Sequence, residues 1–216
     1  MTEHTRLVLI TPMPAGPESW PGDMAVALQA ALEAGRIDAV IIRLPEADER
    51  TLIKLAKPVI ALVQEHGAAA LLQDAPALVA RSGADGVHLS EPAPLRDALG
   101  ALKPHDRIVG AGGLRARHDA MEAAEEDCDY VLFGEMAADG TAPPFSAVLE
   151  RAEWWAELFQ TPCVARVASL DEVGPMAATG CEFVALDDAV FAHPGGPAEA
   201  VRVALAAVAA APAPLR

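Results

Sequence analysis

The sequence predicts a closed (βα)8 barrel that fills a single domain over residues 1–216, on three observations. Eight short apolar runs alternate with longer amphipathic segments from end to end. Each run is almost continuously hydrophobic, as strands covered on both faces are. Every second run also shares one grammar: a helix end, an acidic residue, then a valine-centred strand, in "GRIDAVIIRL", "SGADGVHLS", "EDCDYVLFG" and "TGCEFVALD". Their valines, Val40, Val87, Val131 and Val184, lie roughly 45 to 53 residues apart, the span of two βα units. An open doubly wound sheet is the competing architecture. It calls for a GxGxxG turn after the first strand, which "TPMPAGP" does not supply.

In chain order the predicted strands are Arg6–Pro12, Asp38–Leu44, Ala69–Asp74, Gly86–Ser90, Arg107–Gly113, Tyr130–Glu135, Pro162–Val167 and Phe183–Asp188. A helix over Asp48–His66 carries Leu52, Leu55, Ala56, Val59, Leu62 and Val63 at spacings of three and four, and Pro58 is expected to bend or split it. Another over Ser146–Phe159 sets Val148, Leu149, Trp155 and Leu158 on one side, after Pro143-Pro144 has closed the preceding loop. Gly35, Gly67, Gly83 and Gly180 each follow a helical run, where a left-handed cap is expected.

Composition narrows the function classes. The chain is 52% apolar and 22% charged, which suits one globular core. Charged residues interrupt nearly every apolar run before membrane-spanning length, and the Ala-rich Val201–Pro214 is too short, so no membrane segment is expected. No basic stretch followed by an apolar one opens the chain, so no secretion signal is read. Cys128, Cys163 and Cys181 are odd in number and show no CxxC spacing, which predicts small core residues in a reducing cytoplasm. A net charge of −15 opposes nucleic-acid binding and leaves a small molecule as the expected partner. Trp154-Trp155 is open to two readings: an interface patch of a homo-oligomer, or one indole packed on the barrel with its neighbour at the rim.

In such a barrel the chemistry sits at the C-terminal strand ends. Those ends supply Thr11, Arg43, Gln73, Asp74, Ser90, Glu91, Gly112, Gly113, Glu135, Arg166, Asp187 and Asp188. Arg43 and Arg166 each break an apolar strand near the mouth and need an acceptor. For Arg43 this is a phosphate, Asp74 or Glu91; for Arg166, an anion or a neighbouring carboxylate. His88 faces the same way as Gly86 and Ser90 and is either a hydrogen-bonded core residue or an acid–base group. His118, at the start of a helix after the fifth strand, is a more distant candidate. His4, His66, His105 and His193 lie in terminal, loop or helix-end sequence.

At these same residues the chain resembles the thiamine phosphate synthase family, which includes TenI-like thiazole tautomerases. The match is clearest in "SGADGVHLS", "DCDYVLFGE" and the Gln73-Asp74 strand end, and it extends over most of the chain as strand order. The resemblance implies transfer of a pyrimidinylmethyl group from its diphosphate to a thiazole phosphate, with Mg²⁺ neutralising the leaving diphosphate. With the strand-end reading, it leads to Arg43, Gln73, Ser90, Gly112, Gly113 and Arg166 as expected ligand contacts and to Asp74 as metal ligand with Glu91 as a longer-armed second one. Acid–base work in a tautomerase variant would fall to His88, Glu135 or His118. Several family positions differ: Ile41 and Pro45 flank Arg43, Ala93 stands where a second metal-binding Asp is usual, and Gly110-Ala111-Gly112 lacks a hydroxyl. "GEMAADGTAPP" has no lysine, and Val167-Ala168 replaces a Gly-Gly phosphate loop. The sequence therefore favours a family member that has lost most of the diphosphate-binding residues and binds a less charged ligand. Its alternatives are a working Mg²⁺-dependent synthase using Arg43, Asp74 and Glu91, and a non-catalytic regulatory or partner-binding barrel.

Overall fold

The structure is a computed structural model that describes residues 5–20, 22–137 and 140–213; His4 lies outside them. Eight parallel strands close in sequential order, with β8 hydrogen-bonded back to β1. They are β1 (Arg6–Ile10), β2 (Ala39–Ile42), β3 (Ala69–Gln73), β4 (Gly86–Leu89), β5 (Ile108–Ala111), β6 (Tyr130–Phe133), β7 (Cys163–Arg166) and β8 (Phe183–Leu186). All eight lie inside the predicted runs, trimmed by a residue or two where the polar mouth begins.

The helices form the outer ring: α1 (Gly22–Ala34), α2 (Glu49–Glu65), α3 (Val79–Ser82), α4 (Leu95–Leu102), α5 (Arg117–Glu125), α6 (Phe145–Leu158), α7 (Val173–Ala177), α8 (Asp188–Phe191) and α9 (Pro197–Ala210). Asp48 caps α2 by accepting from the Thr51 N–H at 3.0 Å. Pro58 does not split that helix, which runs unbroken through it. Gly67, Gly83 and Gly180 take the expected left-handed backbone, with φ of 75°, 86° and 85°. Gly35 does not. A Cβ there would land on the Leu205 side chain, so it serves the close approach of α1 to α9.

Alternation along the strands divides the core in two. Outward residues such as Leu9, Val40, Leu72, Val87, Val131 and Val184 pack under the helices. Inward residues Val8, Ile10, Ile41, Leu71, Tyr130, Leu132, Val164 and Ala185 fill the barrel. Trp155 is fully buried, donates to the Thr161 carbonyl at 2.7 Å and stacks on Phe159. Trp154 is half-buried beneath the Arg117 guanidinium, 4.6 Å from its ring centre. That arrangement matches the packed-and-rim reading of the pair. The three cysteines are buried and unbridged. Among the described residues no helix is long and apolar enough to cross a membrane.

Candidate functional site

Inward parity carries Arg43, Gln73, Ser90, Gly112, Arg166 and Asp187 to the C-terminal mouth, one step beyond the apolar filling. On the β1–β4 side they form a hydrogen-bonded row. The Arg43 Nε donates to Gln73 Oε1 at 3.1 Å, and Gln73 Nε2 donates to Asp74 Oδ2 at 3.3 Å. Asp74 in turn accepts from the Ser90 amide at 2.8 Å and the Ser90 hydroxyl at 2.6 Å. Asp74 takes φ 53°, a left-handed conformation that Asp adopts more readily than bulkier residues, and it remains exposed.

Arg43 therefore finds its acceptors in Gln73 and Thr11, with Asp187 4.0 Å away, rather than in Asp74 or Glu91. Arg166 makes a two-point contact with Asp187, 2.8 and 3.1 Å, and both are nearly buried. Asp187 is the counter-charge of that arginine, while Asp188 is exposed on α8.

A cavity of about 370 Å³ opens beside this row on the β4–β6 side. Ser90, Glu91, Gly113, Glu135 and Thr141 line it, with Arg115 and Arg151. Glu91 faces Arg115 at 3.5 Å and is more than half exposed. Arg151 donates to the Leu114 and Arg115 carbonyls at 2.6 and 2.8 Å, and enters no ion pair among the described residues.

Glu135 is turned over the barrel by Gly134, whose φ is 95°. A Cβ on Gly134 would also come within 2.7 Å of the Arg166 carbonyl, so glycine is required there. The Glu135 carboxylate accepts from the Gly113 amide at 2.7 Å and pairs with His88 Nε2 at 2.9 Å. His88, only 1% exposed, bonds the Tyr130 hydroxyl through Nδ1 at 3.0 Å. Burial first, then the Glu135 charge, pushes the Tyr130 phenol well above its usual value.

These contacts revise several expectations. His88 is covered by Glu135 and does not line the cavity. The Gly112 amide already donates to the Leu89 carbonyl at 2.7 Å, and the Gly113 amide to Glu135, so neither is spare for a phosphate. Gly112 instead gives the dyad room: a Cβ there would fall on the Glu135 carboxylate and 2.9 Å from His88 Nε2. His118 pairs with Glu122 on the outer face of α5 and is remote in role from the mouth. Arg115, Arg151 and Tyr130 were not singled out from sequence. Arg115 follows Gly113 in a strand-end loop and was readable there; Arg151 sits in mid-helix, where nothing marks it.

Asp74 and Glu91 flank Ser90, and the oxygen donors of Asp74, Gln73 and Glu91 suit a hard cation. Among the described residues there is no cluster of three or more metal-binding side chains. A Mg²⁺ ion held by one or two carboxylates and completed by substrate phosphate oxygens fits this donor set.

The family model described as thiamine monophosphate synthase matches residues 7–190. The chain is 40% identical to a thiamine-phosphate synthase of Rhodospirillum centenum over 91% of this chain and 94% of that one. It is 36% identical to one of Hyphomonas neptunium, over 92% and 91%. A solved thiamine phosphate pyrophosphorylase from Pyrococcus furiosus shares the fold, with a TM-score of 0.78 at 22% identity, covering 96% of this chain and 97% of that one. The family model and these relatives establish that the chain belongs to the thiamine monophosphate synthase family.

Proposed function

We propose that this protein is a working thiamine phosphate synthase. In that reaction the bond between the pyrimidine methylene carbon and the diphosphate oxygen breaks, its electron pair leaving with pyrophosphate. The thiazole ring nitrogen supplies the pair for the new C–N bond. The observation that carries the reading is the set of arginines at the mouth: Arg43 in the row, with Arg115 and Arg151 lining the adjoining cavity. Sequence alone offered Arg43 and Arg166 against five carboxylates, a poor balance for a diphosphate; the helix and loop arginines improve it.

Within this reading Arg43, oriented by Gln73 and Thr11, holds a diphosphate oxygen. Asp74, fixed by the Ser90 amide and hydroxyl, and Glu91 would hold Mg²⁺, which would supply charge neutralisation to the leaving group. Arg115 and Arg151 draw the second, phosphate-bearing substrate into the cavity. The apolar wall of Leu132, Met136 and Pro143 keeps water from the cationic carbon.

A second reading, a family member that takes a less charged ligand, is favoured by one observation. Arg166 is neutralised by Asp187 within the protein and has little charge left to offer. Pyrophosphate release from the pyrimidine diphosphate, thiazole phosphate and Mg²⁺ separates the two. Turnover supports the synthase; folded protein that binds the heterocycle but releases no pyrophosphate supports the second reading.

A further inference from the structure

Gly110 on the inward face of β5 and Gly112 just past its end are notches for a buried side-chain chain. In the sheet Gly110 lies in register with His88 on one side and Tyr130 on the other. A Cβ on Gly110 would fall on the Tyr130 ring, and one on Gly112 would fall on the Glu135 carboxylate. With both absent, Tyr130 reaches across β5 and lies parallel to His88, ring centres 5.7 Å apart and 6° between planes. The Gly-x-Gly pattern thus makes room for a chain running Tyr130–His88–Glu135, from inside the barrel to the wall of the mouth cavity.

The partners determine how protons are placed along it. The Glu135 carboxylate can only accept, so the His88 Nε2 that faces it is the donor, and the Tyr130 hydroxyl, facing Nδ1, is placed to donate to that atom. His88 then carries its own hydrogen on Nε2 and donates it to Glu135 Oε1. Glu135 Oε2 accepts from Gly113 N–H. Each carboxylate oxygen is thus fixed by one donor and keeps a second lone pair for the cavity.

We propose that Tyr130 is a positioning residue that holds His88 in its Nε2–H form, and that the Glu135 carboxylate so fixed selects a heterocycle carrying an N–H donor. The selectivity rests on the reading that this mouth binds a pyrimidine; the proton placement does not. Selection follows because a site built to accept a ligand N–H leaves its own carboxylate poorly satisfied by an analogue lacking it.

The first test is ¹⁵N NMR of His88 at neutral pH. The expected signal is a pyridine-like Nδ1 and a pyrrole-like Nε2 in the parent protein, with that placement lost in Tyr130→Phe, which keeps the ring. An Nδ1–H form or an imidazolium in the parent, or an unchanged spectrum in the variant, overturns the proposal. The second test titrates 4-aminopyrimidine against 4-methylpyrimidine, which has no N–H. The amino compound should bind about tenfold more tightly. That preference should vanish in Glu135→Ala and shrink in Tyr130→Phe, with the melting temperature reporting the fold of each. Equal binding of the two probes by the parent, or a preference retained by Glu135→Ala, overturns the selectivity. Neither result depends on pyrophosphate release, so failure of the synthase reading is seen separately.

Discussion

Replacing Asp187 by Asn should cost stability at the mouth while leaving shape nearly unchanged. The Asp187 side chain is 2% exposed and accepts two hydrogen bonds from Arg166, itself 9% exposed, with Arg43 4.0 Å away. The amide retains one acceptor but no charge, so a nearly buried guanidinium loses its counter-ion. Breaking a buried pair from one side costs about 3–5 kcal/mol. Because both arginines end at the mouth, where water relieves part of the penalty, the lower figure of about 3 kcal/mol applies. For a chain of this length that lowers the melting temperature by roughly 6–12 °C. Urea denaturation followed by circular dichroism measures it. Replacing Arg166 by Met in the same protein should recover much of the loss, since the guanidinium left without a counter-charge is then gone. A loss under about 1 kcal/mol in Asp187→Asn, or a double variant as unstable as the single losses summed, would refute this reasoning.

Other consequences follow from the same geometry. Ser90→Ala removes the hydroxyl that orients Asp74 and should raise the Mg²⁺ concentration for half-maximal turnover by roughly 10–100-fold, read from a metal titration. Trp155→Ala empties a fully buried site and its 2.7 Å hydrogen bond, at a cost of about 3–5 kcal/mol by chemical denaturation. Burial raises the Cys128 thiol from 9.0 to about 12, so the native state holds a proton that the unfolded chain releases first. Stability should therefore be fully present below pH 9 and fall as pH climbs from there towards 12, in alkaline melts. Lys103, raised by its hydrogen bond to Asp129, acts in the same direction above its ordinary value. All three cysteines should resist thiol reagents until the protein unfolds.

The barrel was legible because β-branched runs and their spacing report strands covered on both faces, a pattern that local sequence carries almost completely. Reading the strand ends also put Arg43, Gln73, Asp74, Ser90 and Arg166 where the structure has its C-terminal mouth. What parity cannot supply is the partner of each group. Asp187 looked like one of several rim carboxylates, yet it is the buried counter-ion of Arg166, a pairing across neighbouring strands β7 and β8. Glu135 lies outside the strand and reaches its place only through the left-handed turn at Gly134. Gly110 and Gly112 read only as part of a strand end that lacks a hydroxyl, whereas the space they leave is taken by Tyr130 and Glu135. Arg151 belongs to a helix face whose periodicity says only that it is polar. Side chains that act by touching another element were the ones the sequence left unassigned.

The central claim is tested most directly by incubating the protein with the pyrimidine diphosphate, the thiazole phosphate and Mg²⁺, and quantifying thiamine phosphate and pyrophosphate together by mass spectrometry. The account predicts equal amounts of both products, with formation lost on removing Mg²⁺ and strongly reduced in Arg43→Ala and Asp74→Ala. Folded protein that yields neither product, or yields both undiminished in the Arg43 and Asp74 variants, would contradict it.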